Sequence, residues 1–386
     1  MDFAEPEHVA ALRETIRRFL AREMPPAEAQ RWDREDKFPR PVFDKLAALG
    51  VTGSTVPEEY GGSGRDILAT MVAIEELGRR SFPLAVAFIN CACYGGMNIL
   101  ESGSEKQKRE LLPKLAAGKM WFAYGLTEPD VGADLASVRT TAVRTGDKII
   151  INGAKRFCTG SDIAEYIYLL VKSDPEAPRY QNLSFVLVPP KSRGVTLTRI
   201  DTMGLRGFPS FDVAFDDVEV PAENIVGGEA GWNKGWPMLA GPTLGVEKLE
   251  VAAIGVGLAD AAVDDAWTYS EQRQQFGKPV SSYQAIRHML ADAKTKVHAA
   301  RLMLYHAAWL ADRRENCDVE TSMTKLFVTE TAKSVVLDCQ TVMGAYGYAH
   351  GFDMERYVRD VLLLPIIGGS SAIQRNNIAN RLGLPR

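Results

Sequence analysis

The chain has 386 residues, of which 46% are hydrophobic and 24% charged, and its formal net charge at pH 7 is −4. This length allows two or three domains with large cores, and the composition is ordinary for a soluble globular protein. The small negative charge and the absence of a basic block argue against a nucleic-acid surface. We find no basic and apolar leader and no apolar run long enough to span a bilayer, so we expect a cytoplasmic protein without a membrane partner.

The five cysteines indicate neither a disulfide framework nor a metal site. Their number is odd and their spacing irregular, and no histidine pair lies near them at zinc-site spacing. We therefore expect buried, reduced thiols and no bound metal. The cysteines are Cys91, Cys93, Cys158, Cys317 and Cys339.

Residues 1–119 are predicted to form an N-terminal helical domain, because apolar residues recur there at helical spacing. Ser104 with Gln107 three residues later is a capping-box pattern, which begins a helix that Gly118 ends. The other helices predicted in this part are 7–22, 41–49 and 67–77.

Residues 120–229 are predicted to form a middle β domain, because the apolar period changes from about 3.6 to 2 near Trp121. Thr145-Gly146-Asp147 separates two alternating runs and indicates a hairpin, and Asn152-Gly153 is a second turn signal. The predicted strands are 140–143, 148–151, 166–171, 183–188, 195–199 and 211–220.

Residues 230–386 are predicted to form a C-terminal helical bundle, because long helices of this kind suit antiparallel packing. The whole chain is thus an α+β protein with an N-terminal helical domain, a central antiparallel β-barrel-like domain and a C-terminal four-helix bundle. The predicted helices of the last part are 236–273, 282–313, 321–344 and 371–381.

Glu247 lies in the middle of an apolar helical stripe within residues 244–258. A carboxylate that points into a core is costly unless it is paired, protonated or kept there for its chemistry. Two interpretations remain open from spacing alone: a structural ion pair, or a general base whose pKa is raised by burial. Glu250 lies on the shoulder of the same stripe, and we expect a surface ion pair there, with a role as base only if Glu247 has none.

Two segments resemble the flavin-facing segments of acyl-CoA dehydrogenases, and further matches follow in the same order along essentially the whole chain. The first is YGLTEPDVGAD at 124–134 and the second is NGAKRFCTG at 152–160. The later matches are MGLRG at 203–207, FDDVEVP at 215–221, RQQFG at 273–277 with Gln284, the stretch 340–347, and IQR at 373–375.

The resemblance implies that the protein binds FAD and that its isoalloxazine ring lies between the middle domain and the C-terminal bundle. Phe157 stands where the family usually has Trp, so the ring would be shielded by a smaller aromatic side chain. The residues that the resemblance places around the flavin are Tyr124, Leu126, Thr127, Gly132, Ala133, Phe157, Thr159 and Ser370.

The resemblance also implies a homo-oligomer, most often a tetramer, because a neighbouring subunit supplies contacts to the adenine dinucleotide half of FAD. An arginine fork suits the diphosphate, and glycines allow the backbone to approach it closely. Here Gly344-Ala345 replaces the family's usual Gly-Gly. The residues concerned are Arg273, Phe276, Gln284, Gln340, Gly344 and Gly347.

The catalytic glutamate that most members carry before the last helix is absent, since Gly368 stands in its place. A minority subgroup that includes isovaleryl-CoA dehydrogenases has its base on a bundle helix in a Glu-Arg-Leu segment, which Glu247-Lys248-Leu249 matches with Lys for Arg. We therefore expect Glu247 to be the base. By resemblance, the Gly368 amide would bond the thioester carbonyl, a contact of the oxyanion-hole type.

The expected function is FAD-dependent α,β-dehydrogenation of an acyl-CoA, in which Glu247 takes the α-proton, the β-hydride goes to flavin N5, and an electron-transfer flavoprotein accepts the electrons. Because Gly368 removes bulk, we expect a short branched, cyclic or substituted acyl group. The alternatives on this scaffold are a carrier-protein-bound acyl or aminoacyl substrate, enoyl-CoA reduction, and desulfination. Three arginines, Arg79, Arg80 and Arg206, could meet a substrate anion, but we expect solvated surface charge.

Overall fold

A computed structural model describes residues 4–385, without the side chain of Pro242. The chain runs from helices through a sheet and back to helices. The N-terminal helices are α1 (Glu7–Glu23), α2 (Pro26–Glu35), α3 (Arg40–Ala47), α4 (Ile67–Arg80), α5 (Phe82–Phe88), α6 (Asn98–Ser102) and α7 (Glu105–Ala116), with a π-helical segment (Ile89–Met97) between α5 and α6. The main strands are β1 (Phe122–Gly125), β2 (Thr141–Thr145), β3 (Lys148–Lys155), β4 (Tyr166–Lys172), β5 (Leu183–Val188), β6 (Val195–Ile200) and β7 (Ser210–Pro221).

The C-terminal part is helical apart from one short hairpin. Its long helices are α9, α10 and α11, and the predicted last helix forms as α13; α12 is an additional helix that the sequence did not indicate. The elements are α8 (Gly235–Leu239), α9 (Pro242–Gln272), β8 (Gln274–Gln275), β9 (Lys278–Pro279), α10 (Gln284–Asp312), α11 (Asp318–Met343), α12 (Met354–Val361) and α13 (Ser371–Arg381).

The capping box at the start of α7 is confirmed. The Ser104 hydroxyl accepts a hydrogen bond from the Gln107 amide at 3.2 Å, and the Gln107 side chain accepts one from the Ser104 amide at 3.0 Å. These two bonds satisfy donors that a helix start otherwise leaves without partners.

The helix that runs through Phe82–Ser102 was not expected. By length and composition it could cross a membrane, so the expectation that no such apolar run exists is wrong. However, 78% of its most apolar window is buried inside the protein. That burial is typical of a core helix. Its π-helical part packs closely on α7, since a Cβ on Gly95 would lie 2.2 Å from Leu115 Cδ2.

The sheet is mixed rather than purely antiparallel. Its order is β1-β4-β2-β3-β7-β6, with β5 also paired to β4. Most pairs are antiparallel, but β1 and β2 each pair parallel with β4. The expected hairpin between β2 and β3 is confirmed, with Thr145 opposite Lys148.

The second turn signal, Asn152-Gly153, is wrong as a turn, because both residues lie inside β3. The register against β7 shifts between Ile151 and Gly153, and Gly153 has φ 141°. Across this bulge the side-chain amide of Asn152 donates from Nδ2 to Asp217 Oδ1 and accepts at Oδ1 from the backbone N–H of Asp217, both at 2.9 Å. A β-bulge uses the same residue types as a tight turn, which is why the two signals coincide.

Helix α9 joins the two helical parts of the molecule. It packs against α10 and α11 on one side and against α4 on the other. The approach to α4 is close, since a Cβ on Gly257 would lie 2.1 Å from the Glu75 carbonyl oxygen. Glu247 and Glu250 are therefore held at the boundary between the bundle and the N-terminal helices.

All five cysteines are free thiols, as expected from their spacing. Four are buried, and Cys317 is only half-buried. Within residues 4–385 no group of three His, Cys, Asp or Glu side chains has an arrangement that could hold a metal ion.

Candidate active site

The structure brings the two flavin-facing segments side by side at the end of β3. The Arg156 amide donates to the Thr127 carbonyl at 2.8 Å, and the Lys155 ammonium donates to the Leu126 carbonyl at 3.0 Å. Lys155 also forms an ion pair with Glu128 at 2.9 Å, in which both side chains are buried. The two loops are thus connected by three contacts, one of them a buried charge pair.

Glu128 holds the first loop in shape through its own acceptors. Its carboxylate accepts the backbone N–H groups of Arg139 and Thr140 at 2.7 and 2.8 Å. Burial opposes ionisation, but Lys155 and these bonds outweigh it and lower the pKa of Glu128 below its usual value. A charged, fully bonded carboxylate therefore lies under the segment that carries Leu126 and Thr127.

Tyr124, Phe157 and Thr159 lie on these segments with side chains in three different settings. The Tyr124 ring lies 4.0 Å from that of Tyr94, centroid to centroid, and its hydroxyl accepts from Asn98 Nδ2 at 2.8 Å. Phe157 is 53% exposed at φ 59°, an unusual backbone for an aromatic residue. The Thr159 hydroxyl bonds Ser210 Oγ at 2.7 Å.

Gly132 and Ala133 lie farther along the first loop and are exposed. No atom lies within 4 Å of a Cβ built on Gly132. Within the described chain the structure therefore brings neither residue into contact with the groups around Tyr124, and their role toward FAD remains a prediction.

Glu247 lies in the first turns of α9, half-buried, and makes no hydrogen bond to any residue in 4–385. Its neighbour Lys248 is turned away, with its ammonium donating to Ser322 Oγ at 3.0 Å. Burial raises the pKa of Glu247 to about 7, and the charge of Lys248 opposes this only in part. A carboxyl group with a pKa near neutrality and a free oxygen has the properties of a general base.

The carboxylate of Glu247 lies close to the flavin-facing segment. After burial, it is the largest electrostatic influence that raises the pKa of Tyr124 and of Tyr94. The structural ion pair that the sequence left open as an alternative for Glu247 is absent from the described residues.

The surface ion pair expected for Glu250 is wrong. The side chain is 1% exposed, and neither carboxyl oxygen has a hydrogen-bond partner among the described residues. The π-helical segment with Cys93 covers this flank of α9, which spacing along one helix could not show. Burial first, and then the charge of Glu247, raise the pKa of Glu250 well above its usual value, which favours the neutral acid.

Gly368 lies in the loop before α13 and packs against Val251 of α9, one helical turn beyond Glu247. A Cβ built on it would be 3.0 Å from Cγ2 of Val251, and its φ is 58°, a conformation that favours glycine. Its amide donates no hydrogen bond within residues 4–385. The loop is fixed by its carbonyls, since Gln374 Nε2 donates to Gly368 and Gly369 at 3.1 and 2.9 Å.

Ser370 is the N-cap of α13, where its hydroxyl accepts from the Ile373 amide at 3.4 Å. This local role accounts for a serine there, and a flavin contact remains a prediction. Lys325, fully buried, donates to the Gly369 carbonyl at 2.8 Å and further fixes the loop.

The residues assigned to the dinucleotide half of FAD lie apart from Glu247, at the outer end of the bundle. Phe276 lies in the β8–β9 turn and is 93% exposed, and Gln284 begins α10 and is exposed. Arg273 packs on the Tyr346 ring with its guanidinium carbon 5.4 Å from the centroid.

Two glycines in this outer region differ in their surroundings. Gly344 has φ 59° and nothing within 4 Å of a built Cβ, whereas a Cβ on Gly347 would lie 2.9 Å from the Gln340 carbonyl oxygen. Gln340 Nε2 also donates to the Gly347 carbonyl at 3.2 Å. Gly347 is therefore required by local packing, and Gly344 leaves the backbone open to a ligand.

The arginine pair is not solvated surface charge. Arg79 forms ion pairs with Asp260 and Asp264 of α9, both at 2.5 Å, and Arg80 lies 3.8 Å from the buried Asp353. Arg206 lines a polar surface recess of about 260 Å³ with Arg199 and Asp201. The acidic partners of the pair were hidden in the sequence, because they lie about 180 residues from Arg79 and about 270 residues from Arg80.

Sequence reasoning missed the polar groups of the π-helical segment. Asn90, Tyr94 and Asn98 recur every four residues in an otherwise apolar helix, and all three meet the site. Asn90 Nδ2 donates to the Thr159 carbonyl at 3.2 Å, and its Oδ1 has no partner among the described residues. That four-residue spacing of polar residues is the signal that could have found them.

These observations fit a bound flavin. The joined loops present a half-exposed aromatic side chain, Phe157, and the threonine hydroxyls of Thr127 and Thr159. On the bundle side are an amide without a partner at Gly368 and a carboxyl group without a partner at Glu247. By this arrangement the loops would hold the ring, and the bundle would supply the groups that act on a substrate.

Three family models match successive parts of the chain. They are the N-terminal domain of acyl-CoA dehydrogenase over residues 6–119, the middle domain over 123–218 and the C-terminal domain over 233–383.

Characterised relatives match over nearly the full length. The chain is 34% identical to a probable acyl-CoA dehydrogenase, YngJ, of Bacillus subtilis, over 99% of this chain and 100% of that protein. It is 36% identical to a 3-(aryl)acrylate reductase of Clostridium sporogenes, over 96% of this chain and 97% of that protein. It is 34% identical to a cyclohex-1-ene-1-carbonyl-CoA dehydrogenase of Syntrophus aciditrophicus, over 96% of this chain and 88% of that protein.

Solved structures agree with these matches. The glutaryl-coenzyme A dehydrogenase–glutaryl-CoA complex superimposes with a TM-score of 0.95 at 32% identity, over 100% of this chain and 98% of that one. A chain from a structure of the electron-transferring flavoprotein of Acidaminococcus fermentans superimposes with a TM-score of 0.95 at 31% sequence identity, over 100% of both chains. The chain therefore belongs to the acyl-CoA dehydrogenase family and is an FAD-dependent oxidoreductase.

Proposed function

We propose that the protein catalyses α,β-dehydrogenation of a short acyl-CoA with a branched, cyclic or substituted acyl group, and that Glu247 removes the α-proton. One observation carries this proposal. Within residues 4–385 Glu247 is a carboxyl group without a hydrogen-bond partner, its pKa is raised to about 7 by burial, and it lies beside the segment that carries Tyr124. A general base is most effective when its pKa is near the working pH.

Each residue of the site has a defined part in this proposal. Glu247 holds the α-proton on a carboxyl oxygen after transfer, and burial favours that protonated form. The free Gly368 amide donates to the thioester carbonyl and so makes the α-proton more acidic; losing such a donor costs on the order of 100- to 1000-fold in rate. Bound FAD supplies the hydride acceptor.

The glycine at 368 also supports a substituted acyl group. Glycine places no side chain in this region, and Cγ2 of Val251, 3.0 Å from a built Cβ, is close enough to exclude one, so no residue at 368 competes with the substrate for room. The Syntrophus relative is named for a cyclic acyl-CoA, which agrees with this inference.

An electron-transfer flavoprotein as electron acceptor and a homotetramer are further parts of the proposal. Support for the first is the fold similarity to the Acidaminococcus structure. Support for the second is the outer face of the C-terminal part, where large apolar side chains are exposed in the single chain. They include Trp267, Phe276, Trp309, Phe327 and Tyr348. A cytoplasmic location, which cell fractionation would test, completes the proposal.

A second candidate is the reverse reaction, reduction of an α,β-unsaturated acyl group, which the name of the Clostridium relative, a 3-(aryl)acrylate reductase, favours. The same residues would serve, because Glu247 in its protonated form would return the α-proton. A carrier-protein-bound substrate remains an alternative within the same site.

The test is an anaerobic visible spectrum of the purified protein during additions of straight, branched, cyclic and dicarboxylic acyl-CoAs. We expect bound flavin to bleach with a branched or cyclic thioester. If no acyl-CoA bleaches the flavin, but flavin that has been reduced chemically regains its colour with an enoyl-CoA, the reductase is favoured. Flavin that no acyl-CoA bleaches and no enoyl-CoA reoxidises would contradict the proposal.

A further inference from the structure

Glu250 is a buried acid without a partner, in contrast to other buried acids of the described chain. Glu75 is as deeply buried but is bonded by Arg301 at 2.9 Å and Tyr305 at 2.6 Å, and Glu128 is paired with Lys155. Among the described residues neither oxygen of Glu250 has a geometric hydrogen-bond partner, and the polar side chain beside it is the Cys93 thiol, a weak donor. Burying a polar group without a hydrogen bond costs free energy, so the group at Glu250 requires a reason.

Support of the base is not that reason. Burial alone is enough to raise the pKa of Glu247, and Lys248 is its one charged influence. Burial and then the charge of Glu247 raise the pKa of Glu250 well above its usual value, which favours its neutral form. A neutral carboxylic acid adds no charge next to the base, but it can donate one hydrogen bond and accept others.

The position of Glu250 points to the acyl end of a substrate. It lies three residues beyond Glu247 on the same face of α9, about 4.5 Å farther along the axis. Cys93 and Tyr94 of the π-helical segment flank it, and Tyr94 stacks on Tyr124. The CoA portion of a thioester must reach solvent, so a substrate that extends to this fully buried group would do so with its acyl chain.

Resting on the proposed function, we propose that Glu250 is a specificity-determining residue that binds a hydroxyl or amino substituent on the acyl chain. Such a substituent would satisfy the free carboxyl oxygens by donating to them. A hydroxyl would bond the neutral acid, and an amine would take up the proton of that acid to form an ammonium–carboxylate ion pair. The preferred substrate is accordingly a polar-substituted acyl thioester rather than a plain hydrocarbon one.

The test is calorimetric binding of hexanoyl-CoA and of its 4-, 5- and 6-hydroxy and 6-amino derivatives to the flavin-loaded protein. At least one derivative should bind about tenfold or more tightly than hexanoyl-CoA, because a site built for a hydrogen bond rejects the analogue that lacks the group. In Glu250→Leu, the ratio of the two Kd values should fall to about one. No preference in the unmodified protein, or an unchanged preference in Glu250→Leu, would overturn the proposal.

Two further variants guard against a folding artefact. Glu250→Gln keeps the size and hydrogen bonding, so it should retain a hydroxyl preference and lose an amine preference. Glu76→Gln is the matched control, because Glu76 is equally buried but is paired with Arg13 and Arg17. It should lower thermal stability and leave the Kd ratio unchanged; a changed ratio there would count against the assignment to Glu250.

The two proposals can fail separately. Tight binding of a hydroxylated thioester without bleaching of flavin would contradict dehydrogenation and support Glu250. Bleaching by all hexanoyl thioesters with equal affinities would support dehydrogenation and overturn the role of Glu250.

Discussion

At the residue scale, two carboxyl groups about one helical turn apart differ in how deeply they are buried. Glu247 is half-buried and burial raises its pKa to about 7, whereas Glu250 is fully buried and its pKa is raised well above the usual value. The sequence predicted the apolar stripe around Glu247, because helical spacing alone places it there. The burial of Glu250 could not be predicted, since it depends on the packing of residues 89–97 across that flank of α9.

The raised pKa of Glu247 leads to a prediction for pH. A base acts in its deprotonated form, so kcat/KM for dehydrogenation should rise with pH up to a midpoint near 7 and then level off. Well below the midpoint, the fall should be about tenfold per pH unit. Steady-state kinetics between pH 5.5 and 9 measure this, and a profile that is flat from 5.5 to 8 would exclude a group with this pKa.

At the element scale, the site depends on loops that the sheet holds together. The hairpin and the capping box could be predicted because their signals are local, as Thr145-Gly146-Asp147 and Ser104 with Gln107 show. The bulge at Gly153 could not, because only the partner strand distinguishes it from a turn. The π-helical segment was missed for another reason: it is buried on almost every side, so it has no apolar period.

The buried pair Lys155–Glu128 should be essential for the flavin loops. Lys155→Met leaves the Glu128 carboxylate buried without its cation, so unfolding free energy should fall by about 3–5 kcal/mol. FAD should also be lost more readily, since Leu126 loses its contact with β3. Urea unfolding and the flavin-to-protein absorbance ratio measure both effects.

Lys148→Met is the matched control on the same strand. Lys148 pairs with Glu219 at 2.7 Å, but both side chains are more than half exposed. Its removal should change unfolding free energy by less than about 1 kcal/mol and leave flavin content unchanged. Equal effects of the two substitutions would show that burial of the Lys155 pair has no special importance.

At the scale of the whole molecule, the single chain exposes several large apolar side chains. Phe276 is almost fully exposed at the tip of a hairpin, and it lies far from the residues that face Glu247. The resemblance predicts that Phe276 contacts FAD bound to a neighbouring subunit. A second subunit is therefore part of the proposed enzyme.

Phe276→Ala tests that view. Because the side chain is exposed, its removal should leave the fold of each chain intact, whereas retention of FAD and the tetramer fraction should both fall. Light scattering after size exclusion, together with flavin absorbance, measures these quantities. Leu384→Ala, which removes another exposed apolar side chain, should change neither. A fully flavinylated tetramer of Phe276→Ala would contradict the proposed subunit contact.

The most direct measurement is the anaerobic stopped-flow rate of flavin reduction in Glu247→Gln, with the thioester that bleaches the unmodified protein. We expect normal FAD content and a rate lower by about 100- to 10,000-fold, the usual contribution of a general base. Glu271→Gln, an exposed glutamate on the same helix, should reduce flavin at the normal rate. Flavin reduction at the normal rate in Glu247→Gln would contradict the account and assign the proton transfer to another group.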